Sequence, residues 1–336
     1  MSADAQQAAL AAVAAPGPAA ALAANRDWAD ATLSRADFAA FSAFIHDHCG
    51  IRYPPGKHVT LEARLRRRLR ALGLATFEEY RARVLGAGAS PEEVVRMIDE
   101  VTTNKTDFFR EPAHFDFLTG HALPALIKLR ADSPTRPLVV WSAACSTGEE
   151  VFTLAMVLED AATGNRRGPG ATPVAAGSAR LRYSILGTDI STEVVATARR
   201  GVYDESMVEP VPLEMRHRYL MQSRDRSRPQ VRVVPALRAK VRFEHLNLLT
   251  PFALDEPADV IFCRNVLIYF DRATQHRVLE RLCQQLVPGG FLFVGHSDSL
   301  TGLDLPLVSQ GPSVYRKIGP GVAVGHRRPR PSKEPR

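Results

Sequence analysis

A chain of 336 residues exceeds what one hydrophobic core usually organises, so two domains with tails are expected. With 45% apolar and 24% charged residues it reads as globular, and no apolar run reaches membrane-spanning length. A formal charge of +7 leans toward an acidic partner, while four widely spaced cysteines with neither a C-x-x-C pair nor a histidine at ligand spacing argue against a disulfide framework or structural zinc, fit reduced cytoplasmic thiols and lead to no expected metal ligand.

Residues 1–25 are mostly alanine, lack a basic start and are broken by Pro16-Gly17-Pro18, so a flexible leader is expected there rather than an export signal. Residues 26–103 read as a helical domain. Phe38, Phe41, Phe44 and Ile45 recur at helical spacing, and a break at 50–56 follows. Leu61, Leu65, Leu69 and Leu72 then line one face of a second helix. Shorter helices are expected over 77–85 and over 91–101, the latter with Ser90 as N-cap and Pro91 at its first position. On the leucine helix, Arg64, Arg66, Arg67, Arg68 and Arg70 are expected on the flanks and outer face, offset by Glu62 alone. Such a surface would suit an acidic protein or nucleic acid.

Residues 104–136 read as a linker that opens on TTNKTDFFRE, which has neither a helical nor a strand period. Residues 137–318 change rhythm. Buried-strand runs at 137–144, 183–190, 258–265 and 291–295 alternate with helices at 151–162, after Ser191 and at 273–286. That alternation predicts an α/β domain, a parallel sheet covered on both faces. A Gly/Pro/Ala-rich loop is expected at 163–180, a small inserted β-subdomain at 201–242, and a disordered basic tail at 319–336.

In such a sheet, ligands bind beyond the carboxyl ends of the strands. The ends here are Ala143–Glu150, Thr188-Asp189 and Cys263-Arg264-Asn265. Gly148 alone makes a poor dinucleotide fingerprint. Glu149 and Glu150 would repel a pyrophosphate but suit an ammonium, and Asp189 stands where a ribose hydroxyl would be accepted. The set favours a cationic nucleoside without phosphates, a description that S-adenosylmethionine fits. Both glutamates also suit a helix start on dipole grounds alone, and Asp189 the residue before an N-cap.

TTNKTDFFRE, WSAACSTGEE, GTDIS, FEHLNLL, FCRNVLIYFD and LVPGGFLFVGHSDSL, in that order, resemble the successive motifs of the CheR-type chemotaxis receptor methyltransferases. The resemblance runs from about Phe38 to Lys317. It implies a Rossmann-like S-adenosylmethionine-dependent methyltransferase domain with an inserted β-subdomain, preceded by an all-helical domain. It implies a cytoplasmic protein-glutamate O-methyltransferase whose product is S-adenosylhomocysteine and whose partners are chemoreceptor cytoplasmic domains, with no nucleic acid and no membrane insertion. Position by position it implies that Asn104, Thr106 and Arg110 close over the cofactor, that Glu150 holds the methionine amino group and that Asp189 holds the ribose. Asn247 and Leu248 would surround the adenine, Arg264 and Asn265 would line the cofactor, and Arg110 with Tyr269 would face the methyl group. Arg64, Arg67 and Arg68 would meet the receptor. Phe108 and Phe109 are expected to pack rather than touch ligand.

The chain departs from the common GEEPYS pattern in reading GEEVFT at 148–153. It also has no glycine at 222–229, where some relatives hold a receptor pentapeptide beside a Gly-rich loop. Two rival expectations are a nucleic-acid methyltransferase, prompted by the basic helix, and a cofactor-sensing module without catalysis.

Overall fold

The computed structural model describes residue 28 and residues 30–130, 136–165, 181–225 and 227–319. The expected leader, the connection from 166 to 180 and the tail from 320 lie outside the described residues. The described residues divide into two compact units, 28–48 with 52–102, and 49–51 with 103–319.

The first unit is helical: α1 (Arg35–Cys49), α2 (His58–Leu72), α3 (Phe77–Leu85) and α4 (Pro91–Val101). Its core takes Phe41 and Ile45 from α1, Leu61, Leu65 and Leu69 from α2, and Phe77, Tyr80 and Val84 from α3. Leu72, at the end of the leucine face, is only half-buried. Gly73 stops α2 in the left-handed region (φ 65°), where glycine meets no Cβ penalty. Thr76 opens α3 through a reciprocal capping box with Glu79, and the Ser90 hydroxyl accepts the Glu93 N–H at 3.3 Å to open α4.

In the second unit the stretch expected as a linker carries helices of its own. It forms α5 (Ala113–Phe117), a π turn (Leu118–Ala122) and α6 (Leu123–Leu129). Phe108, Phe115, Leu118, Leu123 and Leu126 are buried in the same apolar cluster as Val140 and Phe262. Then come β1 (Leu138–Ala143), α7 (Glu149–Thr163), β2 (Tyr183–Asp189) and α8 (Thr192–Arg200). The insertion contributes β3 (Val202–Asp204), α9 (Leu213–Tyr219), β4 (Leu220–Gln222), β5 (Gln230–Val233) and a short α10 (Pro235–Arg238). The chain continues through β6 (Val241–His245), β7 (Ala258–Cys263), α11 (Arg272–Gln285), β8 (Leu286–Val294), β9 (Leu307–Gly311) and β10 (Val314–Lys317).

Seven strands form one sheet in the order β6-β2-β1-β7-β8-β10-β9, and β3-β5-β4 form a separate antiparallel sheet, the expected insertion. From β6 to β8 every pairing is parallel, whereas β10 runs antiparallel to both neighbours. The main sheet is therefore mixed. The few residues between β9 and β10 permit only a hairpin, because a parallel return needs a crossover of a dozen residues or more. The central strands β1 and β7 are buried throughout, as apolar runs in a sheet covered on both faces should be. Trp141, fully buried on β1, donates its indole N–H to Thr188 Oγ1 at 2.9 Å on the neighbouring strand. The parallel run brings the carboxyl ends of β6, β2, β1, β7 and β8 to one edge. Among the described residues no helix is long and apolar enough to cross a membrane.

Candidate functional site

The connection from β1 to α7 is a tight loop held open by backbone geometry. Ala144 (φ 66°), Ser146 (φ 50°) and Gly148 (φ 97°) all occupy the left-handed region, costing about 1–3 kcal/mol at each non-glycine position. Neighbouring strand ends hold them there. Cys145 N–H donates to Thr188 O at 2.9 Å and Ser146 N–H to Asp189 Oδ2 at 2.8 Å. A Cβ on Gly148 would stand 2.9 Å from Ala198 Cβ, so the loop needs glycine there for space as well as for φ.

Asp189 ends β2 and is buried; its Oδ1 accepts Ser191 N–H at 3.0 Å. Burial raises its carboxyl above the usual range, and the backbone N–H donors oppose that rise. With Ser191, Ser146 and Ile190 as backbone donors, a carboxylate of about four acceptor sites still has room for a ribose hydroxyl. Next to it Leu246 N–H donates to Asp189 O at 2.9 Å, which pins the chain after β6. There Asn247 Oδ1 accepts Leu249 N–H at 2.9 Å, and Leu248 is buried with its carbonyl held by Arg281 at 3.1 Å. Asn104 joins the same neighbourhood through its carbonyl, which accepts the Ser146 hydroxyl at 2.7 Å.

A second group gathers around Arg264, buried after β7. Its guanidinium donates to Glu150 Oε2 at 3.1 Å and stands 3.2 Å from Glu111 Oε2, with the Arg110 carbonyl as a third acceptor. Glu150 Oε1 accepts the Ser142 hydroxyl at 2.7 Å. Burial raises the Glu150 carboxyl; Arg264 first, then Ser142, oppose the rise, and Arg110 adds a weaker pull in the same sense. Glu149, fully buried, instead takes the Thr147 hydroxyl at 2.7 Å, so of the two adjacent glutamates only Glu150 joins the Arg264 group. At Glu111 burial also acts to raise the carboxyl, but Arg264, the His296 N–H and Asn265 overcome it and hold the group below the usual carboxylate range. Asn265 sits in the left-handed region (φ 57°), where asparagine is tolerated. Its N–H donates to Asp298 Oδ2 at 2.8 Å, and the same oxygen takes Gly295 N–H at 2.9 Å. A Cβ on Gly295 would lie 2.7 Å from Asn265 N, so glycine at the end of β8 allows this close approach.

TTNKTDFFRE folds back on itself, with Arg110 Nη1 donating to Lys105 O at 3.1 Å. Phe109 (φ 54°) and Glu111 (φ 56°) are left-handed, a strained state for such side chains. The anchors are Phe108, buried edge-on to Tyr203 at 5.0 Å, and the Phe109 N–H, which donates to Thr153 Oγ1 at 3.1 Å. Thr106 and Tyr269 are half-buried; among the described residues no hydrogen bond joins either side chain to the rest of the site. At the GEEVFT departure, Phe152 is fully buried between Tyr203 and Phe243, where a phenyl ring fits without a hydroxyl partner. Ser142, Glu111 and Asp298 were not singled out as site residues from the sequence. Glu111 lies inside the quoted TTNKTDFFRE and Asp298 inside GHSDS, but no spacing rule distinguishes them.

The basic helix of the first unit needs correction. Arg68 is buried and forms a two-point pair with Glu93 at 3.0 and 2.9 Å, and Tyr80 donates to the same carboxylate at 3.0 Å. It does not lie on the outer face. Arg64 caps the end of α4, donating to Val101 O and, at 2.9 Å, to Thr102 O. Arg66 pairs with Glu62, and Arg67 pairs with Glu100 while staying 60% exposed. Three carboxylates, not Glu62 alone, therefore offset this face. Of the three arginines expected to meet a partner, Arg67 is the exposed one.

Residues 104–309 match the CheR methyltransferase SAM-binding domain and residues 36–102 the CheR methyltransferase all-alpha domain. The chemotaxis protein methyltransferase of Escherichia coli K12 is 37% identical over 284 residues, covering 84% of this chain and 91% of that protein. Chemotaxis protein methyltransferase 2 of Pseudomonas aeruginosa is 35% identical over 283 residues, covering 84% and 93%. The chemotaxis protein methyltransferase of Borreliella burgdorferi is 33% identical over 274 residues, covering 81% and 91%.

Proposed function

The chain belongs to the CheR methyltransferase family, and from that premise we propose that it methylates glutamate side chains on the cytoplasmic signalling domains of chemoreceptors, using S-adenosylmethionine. The observation that carries this reading is a pair of carboxylates at one edge of the sheet, half-buried Glu150 in the first turn of α7 and buried Asp189 at the end of β2. Glu150 is set by Ser142 and Arg264, and Asp189 by two backbone N–H groups. Both keep lone pairs, which fits an ammonium at one and ribose hydroxyls at the other. The loop from β1 to α7 has no lysine or arginine to hold a phosphate, and α7 opens on Glu149 and Glu150.

The bound cofactor supplies an electrophilic methyl group. A receptor glutamate is already ionised at neutral pH, so the chain needs no general base. Its work is to orient the carboxylate and exclude water, which is worth several kcal/mol when the reacting atoms are held near attack distance. Arg110 is the orienting group, because the planar fork of a guanidinium matches a carboxylate. Tyr269 shapes the transfer slot, Asn104 and Thr106 close the cofactor side, and Asn247 and Leu248 flank the base. Arg264 and Asn265 line the cofactor from the end of β7. Exposed Arg67 contributes to receptor docking. The ion pairs along α2 offset three of its five arginines and so reduce the charge excess that prompted a nucleic-acid substrate.

The test is transfer of labelled methyl from the cofactor to purified receptor signalling domains, in a reaction that also contains nucleic acid. Base-labile label on the receptor is expected, and Arg110→Ala should lower its rate at least ~100-fold with the fold intact. Label on nucleic acid, or cofactor binding without transfer to any receptor, would overturn the assignment. Unchanged turnover in Arg110→Ala would remove that residue from the mechanism.

A further inference from the structure

Glu111 faces two histidines that the methyl-transfer reading does not use. His114, the second residue of α5, is 2% exposed, and neither ring nitrogen has a hydrogen-bond partner; Glu111 Oε2 has none either. Buried polar atoms left this way cost about 1–3 kcal/mol each, and they mark places where an ion or water belongs. His296 reaches the same point from the end of β8. Glu111 Oε2 lies 3.4 Å from His114 Nδ1 and 3.9 Å from His296 Nε2, and one ligand atom from each of the three residues falls within 4.8 Å of the others. Three ligands at ~2.05 Å around a tetrahedral ion stand ~3.3 Å apart, so the cluster needs a contraction of an ångström or so. The His296 side chain is 55% exposed, which gives an ion a path and leaves a coordination position for water.

The donor set selects the class of ion. Two imidazoles and one carboxylate suit zinc and its neighbours, whereas calcium and magnesium require oxygen ligands. The opposing term is Arg264, 3.2 Å from the same Glu111 oxygen. Its other nitrogen is held by Glu150, so the two carboxylates and one guanidinium carry a net single negative charge that a dication would reverse to a single positive one.

We propose that Glu111, His114 and His296 form a binding site for a zinc-class divalent ion, and that the ion competes with Arg264 for the Glu111 carboxylate. Occupancy turns Arg264 wholly onto Glu150, the carboxylate assigned to the cofactor's ammonium, and so weakens cofactor binding. This coupling rests on the cofactor reading above; the metal site itself does not.

Untagged full-length protein, stripped with a chelator, would be titrated with Co2+ while its visible bands are followed, and with Zn2+ against a chromophoric chelator. One equivalent of Co2+ should bind with a nitrogen–oxygen spectrum lacking thiolate charge transfer. His296→Ala changes a half-exposed side chain and should stay folded, bind S-adenosylhomocysteine as before in metal-free buffer, and lose at least ~10-fold in metal affinity. His114→Gln, a buried change, is the second variant and should lose as much. Zn2+ should weaken S-adenosylhomocysteine binding several-fold in the parent protein and not in His296→Ala. No Co2+ band, a thiolate spectrum, or metal affinity untouched by His296→Ala overturns the site. Zn2+ that binds there and leaves S-adenosylhomocysteine affinity unchanged overturns the coupling alone.

Discussion

At Arg68 and Arg67, adjacent residues of the same type on one helix do different work, and burial decides which. The Arg68–Glu93 side chains are 9% and 7% exposed, whereas those of Arg67 and Glu100 are 60% and 25% exposed. Removing one partner of a buried pair strands a charge and costs about 3–5 kcal/mol, whereas an exposed pair is worth about 1 kcal/mol or less. Arg68→Ala should therefore lower amide-exchange protection across Pro91–Val101 by roughly two to four orders of magnitude. Arg67→Ala should leave that protection nearly unchanged and slow receptor methylation instead. Equal loss of protection in the two variants would show that burial does not separate them. The contrast was not legible in the sequence, because a run of arginines beside a leucine face shows neither which one turns inward nor that Glu93 and Tyr80, on later helices, wait for it. Asp189 was legible because it ends a strand whose apolar run stops abruptly, and Glu150 because it opens the helix that follows such a run.

For the elements, the clearest case is the loop between β1 and α7, where position matters more than residue chemistry. Gly148 has φ 97° and its missing Cβ would meet Ala198 at 2.9 Å. Gly148→Ala is expected to cost about 1–3 kcal/mol of stability. By moving the Ser146 N–H off Asp189 and shifting the start of α7 under Glu150, it should weaken S-adenosylhomocysteine binding at least ~10-fold, measured by calorimetry beside the melting temperature. A variant that melts earlier yet binds normally would mean that this loop does not set the cofactor site. Apolar runs of strand length made the central strands readable, and between the helix run at 273–286 and the strand run at 291–295 Pro288-Gly289-Gly290 reads as a turn. The structure keeps β8 continuous there and accommodates those residues as a bulge: Ala258 pairs with Leu286 and Val260 with Phe291, with Gly289 at φ 80°. The parallel edge strand β6 and the hairpin β9–β10 were not read as strands. Their exposed and half-buried residues (for β9, Val308, Ser309 and Gln310 are all exposed) give no apolar run to follow.

For the whole molecule, the division at Thr102 and Thr103 puts every residue proposed to hold the cofactor in one unit. Asn104, Thr106, Arg110, Glu150, Asp189, Asn247, Leu248, Arg264 and Asn265 all belong to the second, together with the apolar clusters that hold β1, β7 and α7. The helical unit has its own buried core, and it carries Arg67. That two domains were present followed from length and from the change of hydrophobic period. Where the boundary falls did not, because TTNKTDFFRE has no period and its attachment depends on Phe108 meeting Tyr203 far along the chain. The chain beginning at Thr103 should therefore fold and bind S-adenosylhomocysteine within about threefold of the full-length protein, since a domain with its own core retains its sites. A fragment beginning at Leu138 would lack Phe108, Phe115, Leu118, Leu123 and Leu126 and leave their buried neighbours uncovered. At roughly 2–5 kcal/mol for each large apolar side chain removed from a core, it should not fold. Receptor methylation by the Thr103 fragment should fall at least ~10-fold, because helix α2 and its exposed arginine are gone. Calorimetry with the product and label transfer to receptor domains separate these effects. Weak product binding by a folded Thr103 fragment would place part of the cofactor site in the helical unit. Undiminished receptor labelling would remove α2 from docking.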